Sequence, residues 1–171
     1  MFENDYTIVG KHATYIKFLV NDTKLFDRYI DVYMNGAIFG LLFNRVGSRD
    51  NTSQDRARIY ADAFATCRDD CVFLYRLVML LDETAKISSD ERIDRSFRCD
   101  ADEKQNDKLA KNLELFNAYV LGGIEVLYEK LTDGCTTQED YITKAYNLME
   151  TFSEEIKGFP YEENLASLIN G

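Results

Sequence analysis

Hydrophobic residues recur along this chain mainly at spacings of three and four positions, the period of an amphipathic helix. Together with capping and helix-breaking residues, the pattern predicts six helices, at about 11–20, 23–44, 56–83, 88–98, 108–131 and 137–156. A polar connection at 99–107 and a helix stop at 158–160 follow from the same pattern. No segment alternates apolar and polar residues over the length of a useful strand. The sequence therefore predicts an all-α fold, a single-domain helical bundle of five or six helices spanning residues 1–171.

The segment at about 56–83 is the most informative part of the pattern. It contains no Gly or Pro, and its second half, residues 71–81, is apolar on nearly every side except at Arg76. A helix that is hydrophobic all round normally lies inside a protein, covered by other elements. We therefore expect the bundle to be built around this segment as one buried central helix.

Glycines lie in the interior of two other predicted helices. Gly36 and Gly40 share one side of the second helix, and Gly122 and Gly123 interrupt the helix at 108–131. Glycine inside a helix costs about 1 kcal/mol relative to Ala, so a compensating gain is expected. Close approach of a neighbouring helix is the favoured explanation, and a ligand that needs access to the backbone is the alternative.

Charge is the first property that limits the function. The formal net charge is −10, which disfavours direct binding to nucleic acid or to an anionic membrane. From Glu125 onward, ten carboxylates face three lysines. The N-terminus lacks the pattern of a signal peptide, and the longest uncharged apolar run, at 36–43, is too short to cross a bilayer. We expect a cytoplasmic protein whose four cysteines are reduced.

Several kinds of catalytic site are excluded by the residue types present. His12 is the only histidine, so the chain cannot supply the two Glu-x-x-His units of a di-iron bundle. No nucleophile motif lies near His12, and no glycine-rich phosphate loop is present. Cys67 and Cys71 share a helix face, but tetrahedral zinc needs two further ligands, so core packing is favoured. We therefore predict no bound cofactor or metal.

Carboxylates offer the one catalytic alternative. Asp82 and Glu83 follow the apolar segment, and Glu91 and Asp94 lie three positions apart on the next helix. Mg²⁺ is commonly held by carboxylates together with substrate phosphates. These four residues could therefore form the magnesium site of a nucleotide hydrolase, although the upstream acidic half of such a site is missing.

The loop predicted at 44–58 is the favoured functional surface. It is locally basic within an acidic protein and carries four arginines, Arg45, Arg49, Arg56 and Arg58. Arginine is preferred where carboxylates or phosphates are bound by paired hydrogen bonds. The eleven tyrosines also suggest hydroxyl groups at an interface, for which we consider Tyr29, Tyr33, Tyr60 and Tyr119.

These observations favour a non-catalytic helical interaction or accessory protein over an enzyme. It would associate with itself and dock on a protein partner through the arginine loop and an exposed aromatic helix face. The magnesium-dependent hydrolase is one alternative. A second alternative is an acidic inhibitor that mimics nucleic acid and occupies a DNA-binding protein, using Glu150, Glu154 and Glu155 in the acidic C-terminal third.

Overall fold

The computed structural model describes residues 1–99 and 106–157, and within them the protein is a helical bundle. Seven α-helices are described there: α1 (Lys11–Lys17), α2 (Tyr29–Leu42), α3 (Ala61–Thr66), α4 (Arg68–Leu81), α5 (Ser89–Phe97), α6 (Asn106–Thr132) and α7 (Gln138–Lys157). A π-helical segment, Phe18–Asp22, continues α1. The predicted all-α class is confirmed, with 67% of the structure helical. Most of the predicted polar connection at 99–107, and the helix stop at 158–160, lie outside the described residues.

One small sheet corrects the expectation that the chain has no strands. Strands β1 (Tyr6–Val9) and β2 (Arg56–Ile59) pair antiparallel, with Tyr6 opposite Ile59 and Val9 opposite Arg56. Residues of β2 alternate between exposed and buried, as a strand with one covered face requires. The alternation lasts only four residues, which is too short to stand out in the sequence.

The segment at about 56–83 is not one helix, contrary to the prediction. It divides into β2, α3 and α4, and the chain turns at Tyr60 and again at Cys67. A distant residue fixes the first turn, because the Asp5 carboxylate accepts a hydrogen bond of 2.7 Å from the backbone N–H of Ala61. This contact supplies a partner for an N–H group that the start of a helix leaves unpaired, and it overrides the local helix propensity.

The central buried helix is α6 rather than the predicted segment. Residues 119–127 of α6 are all buried. Helix α2 crosses α6 so closely that a Cβ atom on Gly123 would overlap the carbonyl oxygen of Gly36, and one on Gly40 would overlap that of Tyr119. Close helix approach is therefore confirmed as the reason for Gly36, Gly40 and Gly123, whereas Gly122 lies against the loop after α2, where a Cβ atom would overlap the carbonyl oxygen of Arg45.

Two of the four tyrosines considered for an interface belong to the core instead. Tyr33 and Tyr119 are fully buried. The hydroxyl of Tyr33 donates to Asn117 Oδ1 at 2.8 Å, and its ring packs edge-on against Phe64. Tyr60 is 60% exposed, and Tyr29 is half-buried with its hydroxyl 3.3 Å from Asn21 Nδ2. Tyr33 therefore belongs to an aromatic cluster in the core, where its ring also packs edge-on against Phe116.

The contacts of the chain group into two compact units, residues 1–129 and 130–171. The first unit contains both strands, helices α1 to α5 and most of α6. In the second, α7 begins with a capping arrangement in which Asp140 Oδ2 accepts the backbone N–H groups of Thr136 and Thr137. The single domain predicted for 1–171 stays a prediction. Within the described ranges, no helix is both long and apolar enough to span a membrane.

We predict that Gly123→Ala destabilises the protein even though Ala is the better helix former. The added methyl group would collide with the backbone of α2, and overpacking of this kind typically costs about 1–3 kcal/mol. Ala110→Gly, at an exposed position of the same helix, is the matched control and should cost only about 1 kcal/mol. Urea denaturation measures both values. Equal or greater stability of Gly123→Ala would contradict the close crossing of α2 and α6.

Candidate functional site

Helix α4 carries a second apolar face that the described chain leaves uncovered. Phe73 is 64% exposed and Leu81 is 50% exposed, while Phe97 of α5 is 48% exposed beside them. A groove of about 430 Å³, here called the α4 groove, is lined by Asp69, Val72, Phe73, Arg76, Leu77, Leu80 and Phe97. The Arg76 guanidinium lies 5.5 Å from the centre of the Phe97 ring, a favourable cation–π distance. The groove is therefore mainly apolar, with one acidic and one basic side chain.

The opposite face of α4 forms part of the core. Cys71, Leu74, Tyr75, Val78 and Met79 are buried, and the helix packs against α2 and α5. The prediction that residues 71–81 are surrounded by other helices is therefore correct for one face and wrong for the other. The sequence could not separate the two faces, because both are apolar.

Asp82 fixes the orientation of α4 from its C-terminal end. Its side chain is completely buried. Oδ1 accepts hydrogen bonds from the Tyr119 hydroxyl at 2.7 Å and the Thr84 hydroxyl at 2.6 Å, and Oδ2 accepts one from Arg95 Nη2 at 2.9 Å. Burial opposes ionisation, but these donors outweigh it and lower the pKa of Asp82. The carboxylate therefore stays charged and joins α4 to α5 and α6.

Arginines of α5 complete this junction. Arg95 Nε donates to the carbonyl oxygen of Met79 at 2.7 Å, and Arg92 Nη1 donates to the carbonyl oxygens of Leu80 and Asp82. The last carbonyl groups of a helix lack partners within the helix, so these arginines cap α4. The α4 groove is thus formed by two helices that are held together by charged hydrogen bonds.

The structure does not gather the four acids of the hydrolase alternative around a common point. Asp82 is buried and both of its oxygens already accept hydrogen bonds, whereas Glu83, Glu91 and Asp94 are exposed. Asp94 Oδ1 accepts from Arg98 Nη1 at 2.5 Å. Across the described parts of the chain, no group of three or more His, Cys, Asp or Glu side chains is placed to hold a metal ion.

A second polar cluster lies at the start of α1. His12 is completely buried, and its Nε2 lies 2.8 Å from Glu125 Oε1. Lys11 Nζ is 2.9 Å from the same oxygen, and Arg45 Nη2 donates to Glu125 Oε2 at 2.8 Å. Burial lowers the pKa of His12, and the hydrogen bond to Glu125 only partly opposes this. Neutral His12 therefore donates to ionised Glu125.

The four predicted partner-binding arginines do not have the same surroundings. Arg45 is half-buried and pairs with Glu125 and also with Glu129, where Nη1 to Oε2 is 2.7 Å. Arg58 pairs with Asp5 and lies 5.2 Å above the Tyr60 ring. Arg49 and Arg56 are exposed, and no ion pair is described for them within residues 1–99 and 106–157. Arg45 and Arg58 are thus engaged in ion pairs within the chain, and Arg49 and Arg56 are exposed without a described ion pair in the part of the chain that the structure describes.

The cysteine pair fits the packing interpretation. Cys67 and Cys71 are buried free thiols, and burial, with Cys67 and Asp70 nearby, raises the pKa of Cys71 to about 12. A thiol that stays protonated at neutral pH is a poor nucleophile and a poor metal ligand.

Comparison of the chain with protein-family models, curated proteins and solved structures found no match, so the site is interpreted from its own geometry.

We predict that Asp82→Ala strongly destabilises the fold. The substitution leaves the largely buried guanidinium of Arg95 without its carboxylate, and breaking such a pair costs about 3–5 kcal/mol. Asp94→Ala, which removes an exposed ion pair with Arg98, should cost only about 0.5 kcal/mol. The free energy of unfolding in urea measures both. If Asp82 instead belonged to a cluster of repelling metal ligands, Asp82→Ala would stabilise the metal-free protein.

We also predict that stability falls below neutral pH because of His12. Its pKa in the folded protein lies below the usual 6.5, so the unfolded chain binds the proton more readily. The contribution of neutral His12 to the free energy of unfolding is complete above pH 6.5. It is lost as the pH falls below that value, by up to about 1.4 kcal/mol per pH unit. Urea denaturation at pH 7.5, 6.5 and 5.5 measures this slope.

The matched control is His12→Gln, which retains an N–H donor for Glu125 but cannot titrate. It should flatten the pH dependence between 7.5 and 5.5. The pKa values of Asp50, Asp55 and Glu125 are lowered below their usual acidic range, so they titrate at lower pH. An unchanged slope in the variant would assign the effect to another group.

Proposed function

We propose that the protein is a non-catalytic helical interaction protein that binds another polypeptide through the α4 groove. The observation that carries this proposal is the uncovered apolar face of α4, with Phe73 exposed at its centre. Contiguous exposed apolar surface of this kind marks interaction sites in soluble proteins. A helix that is apolar all round but covered on one side only is suited to bind a second molecule on the other side.

The composition and rigidity of the groove support the same function. Phenylalanine and arginine are enriched at protein interfaces, and aliphatic neighbours can exclude water around them. The bonds from Arg92, Arg95 and Asp82 hold α4 and α5 in place, which lowers the entropy lost on binding. Residues 69–80 span about 18 Å along the helix, so the groove fits a helical segment of about three turns.

The exposed arginines Arg49 and Arg56 provide a second contact in this proposal. They lie in a locally basic stretch of an acidic chain, so they would select acidic residues of a partner and act mainly on the association rate. Arg45 and Arg58 have internal partners, so their role would be to fix the loop rather than to bind.

In the enzyme alternative, the carboxylate of Asp82 would have to bind the metal ion. Both oxygens of Asp82 already accept hydrogen bonds from the protein, so metal binding would have to replace these donors, one of which, Arg95, also caps α4. The acidic residues Glu150, Glu154 and Glu155 are exposed on α7, as a nucleic-acid mimic would need, but they are equally typical of a solvated helix face.

The test is site-specific photo-crosslinking in the producing cells. A benzoylphenylalanine residue replaces Phe73, Arg49 or Tyr146 in turn, and mass spectrometry identifies each adduct. Tyr146 is 60% exposed on α7 and serves as a matched aromatic control because it is not among the lining residues of the α4 groove. We expect a defined adduct at position 73, a weaker one with the same polypeptide at 49, and none at 146.

Binding of the purified crosslinked polypeptide then decides whether the contact is specific. In calorimetry, Phe73→Glu should lower the affinity by about 30-fold or more, as expected for a central aromatic residue, whereas Tyr146→Glu should leave it unchanged. Equal affinity for both variants, or adducts only at position 146, would show that the α4 groove is not the interface.

A further inference from the structure

The order of side chains along the uncovered face of α4 identifies the binding partner more closely. Asp69, Phe73, Arg76 and Leu80 are separated by four, three and four positions, so they lie along one side of the helix. Asp69 and Phe73 are exposed, while Arg76 and Leu80 are partly exposed. The face therefore places an acid one turn before the exposed Phe73 and a base one turn after it, with Leu80 a further turn along the helix.

We propose that the α4 groove binds a second copy of this chain, with the two α4 helices antiparallel about a two-fold axis. This inference rests on the proposed function and names its partner. In a two-fold interface, residue i of one copy meets residue j of the other, and j meets i. An axis midway between Val72 and Phe73 places Asp69 of each copy opposite Arg76 of the other.

This arrangement brings opposite charges and apolar groups together along residues 68–77 of α4, and Leu80 lies beyond the helix-to-helix contact because α4 begins at Arg68. Both ends of the contact become Asp–Arg pairs, while Phe73 of each copy meets Val72 of the other at the centre. The groove of about 430 Å³ beside Phe73 offers space for the aromatic ring of the second copy. A site for an unrelated ligand does not require an acid and a base on opposite sides of Phe73, whereas an antiparallel pair of identical helices requires a self-complementary sequence.

Charge elsewhere on the molecule restricts where two copies can meet. Each chain carries a net charge of −10, so copies repel one another across most of their surface. The α4 groove has one acid and one base among its lining residues and is locally neutral. One helix and its neighbour form a small interface by the usual standard, so a dimer of micromolar strength is expected.

Sedimentation velocity from about 1 to 200 µM at physiological salt tests this arrangement. The wild-type protein should pass from monomer to dimer across that range. Phe73→Glu should remain monomeric, and Tyr146→Glu, which alters an exposed aromatic residue on α7, should dimerise like the wild type. A wild type that stays monomeric throughout, or dissociation caused by Tyr146→Glu alone, would overturn the proposal.

A charge exchange tests the two-fold geometry specifically. Asp69→Lys places two positive charges together at each end of the contact, and Arg76→Glu places two negative charges together. Each variant alone should dimerise about tenfold or more weakly, because symmetry doubles the loss of a surface ion pair. An equimolar mixture of the two should recover wild-type affinity, because each end then pairs opposite charges.

The mixture also controls for folding, since a misfolded variant cannot restore association. Failure of the mixture to associate, while both variants keep wild-type thermal unfolding, would exclude the antiparallel register.

The experiments also distinguish failure of self-association from failure of the proposed interaction function. A monomeric wild type that still gives a specific adduct with a different polypeptide at position 73 overturns self-association and leaves the interaction function intact. A monomer without any adduct there overturns both.

Discussion

The buried carboxylate of Asp82 is the interaction on which the arrangement of this protein depends. It accepts hydrogen bonds from Thr84, Arg95 and Tyr119, so a single charge joins the end of α4 to α5 and to the buried helix α6. Removing a carboxylate from water is costly unless donors replace the lost hydration, and here the donors are present. Because the junction is directional, it fixes the rotation of α4 and thereby decides which of its apolar faces enters the core.

That rotation has a direct consequence for function. Both faces of α4 are apolar, so the hydrophobic effect alone favours neither as the inner one. The directional bonds from α5 resolve the ambiguity by turning Leu74 and Val78 inward and leaving Phe73 and Leu77 at the surface. A polar junction therefore specifies which apolar face of α4 stays uncovered, which is one use of buried polar groups in packed helices.

The sequence predicted those features that depend on local pattern. The helical period gave the fold class, and the glycines of α2 and α6 indicated a close helix crossing that the structure confirms. Features that depend on residues distant in the sequence were not predicted. The break between β2 and α3 depends on Asp5, which is 56 positions from Ala61, and the role of Asp82 depends on Tyr119, 37 positions away. Acidic residues alone could not show whether their partners would be metal ions or protein donors.

The charged residues of this chain show the same dependence on distant partners. Asp82 and Arg45 resemble candidates for chemistry because they are charged and not fully exposed, yet each is held by several protein partners. Saturation of this kind lowers the free energy of the folded state and leaves little capacity for a substrate. The apolar face of α4 is the opposite case, because its free energy would fall on contact with another molecule. In this protein the uncovered apolar face of α4, rather than the buried charges, is therefore the feature on which a proposal of function is best based.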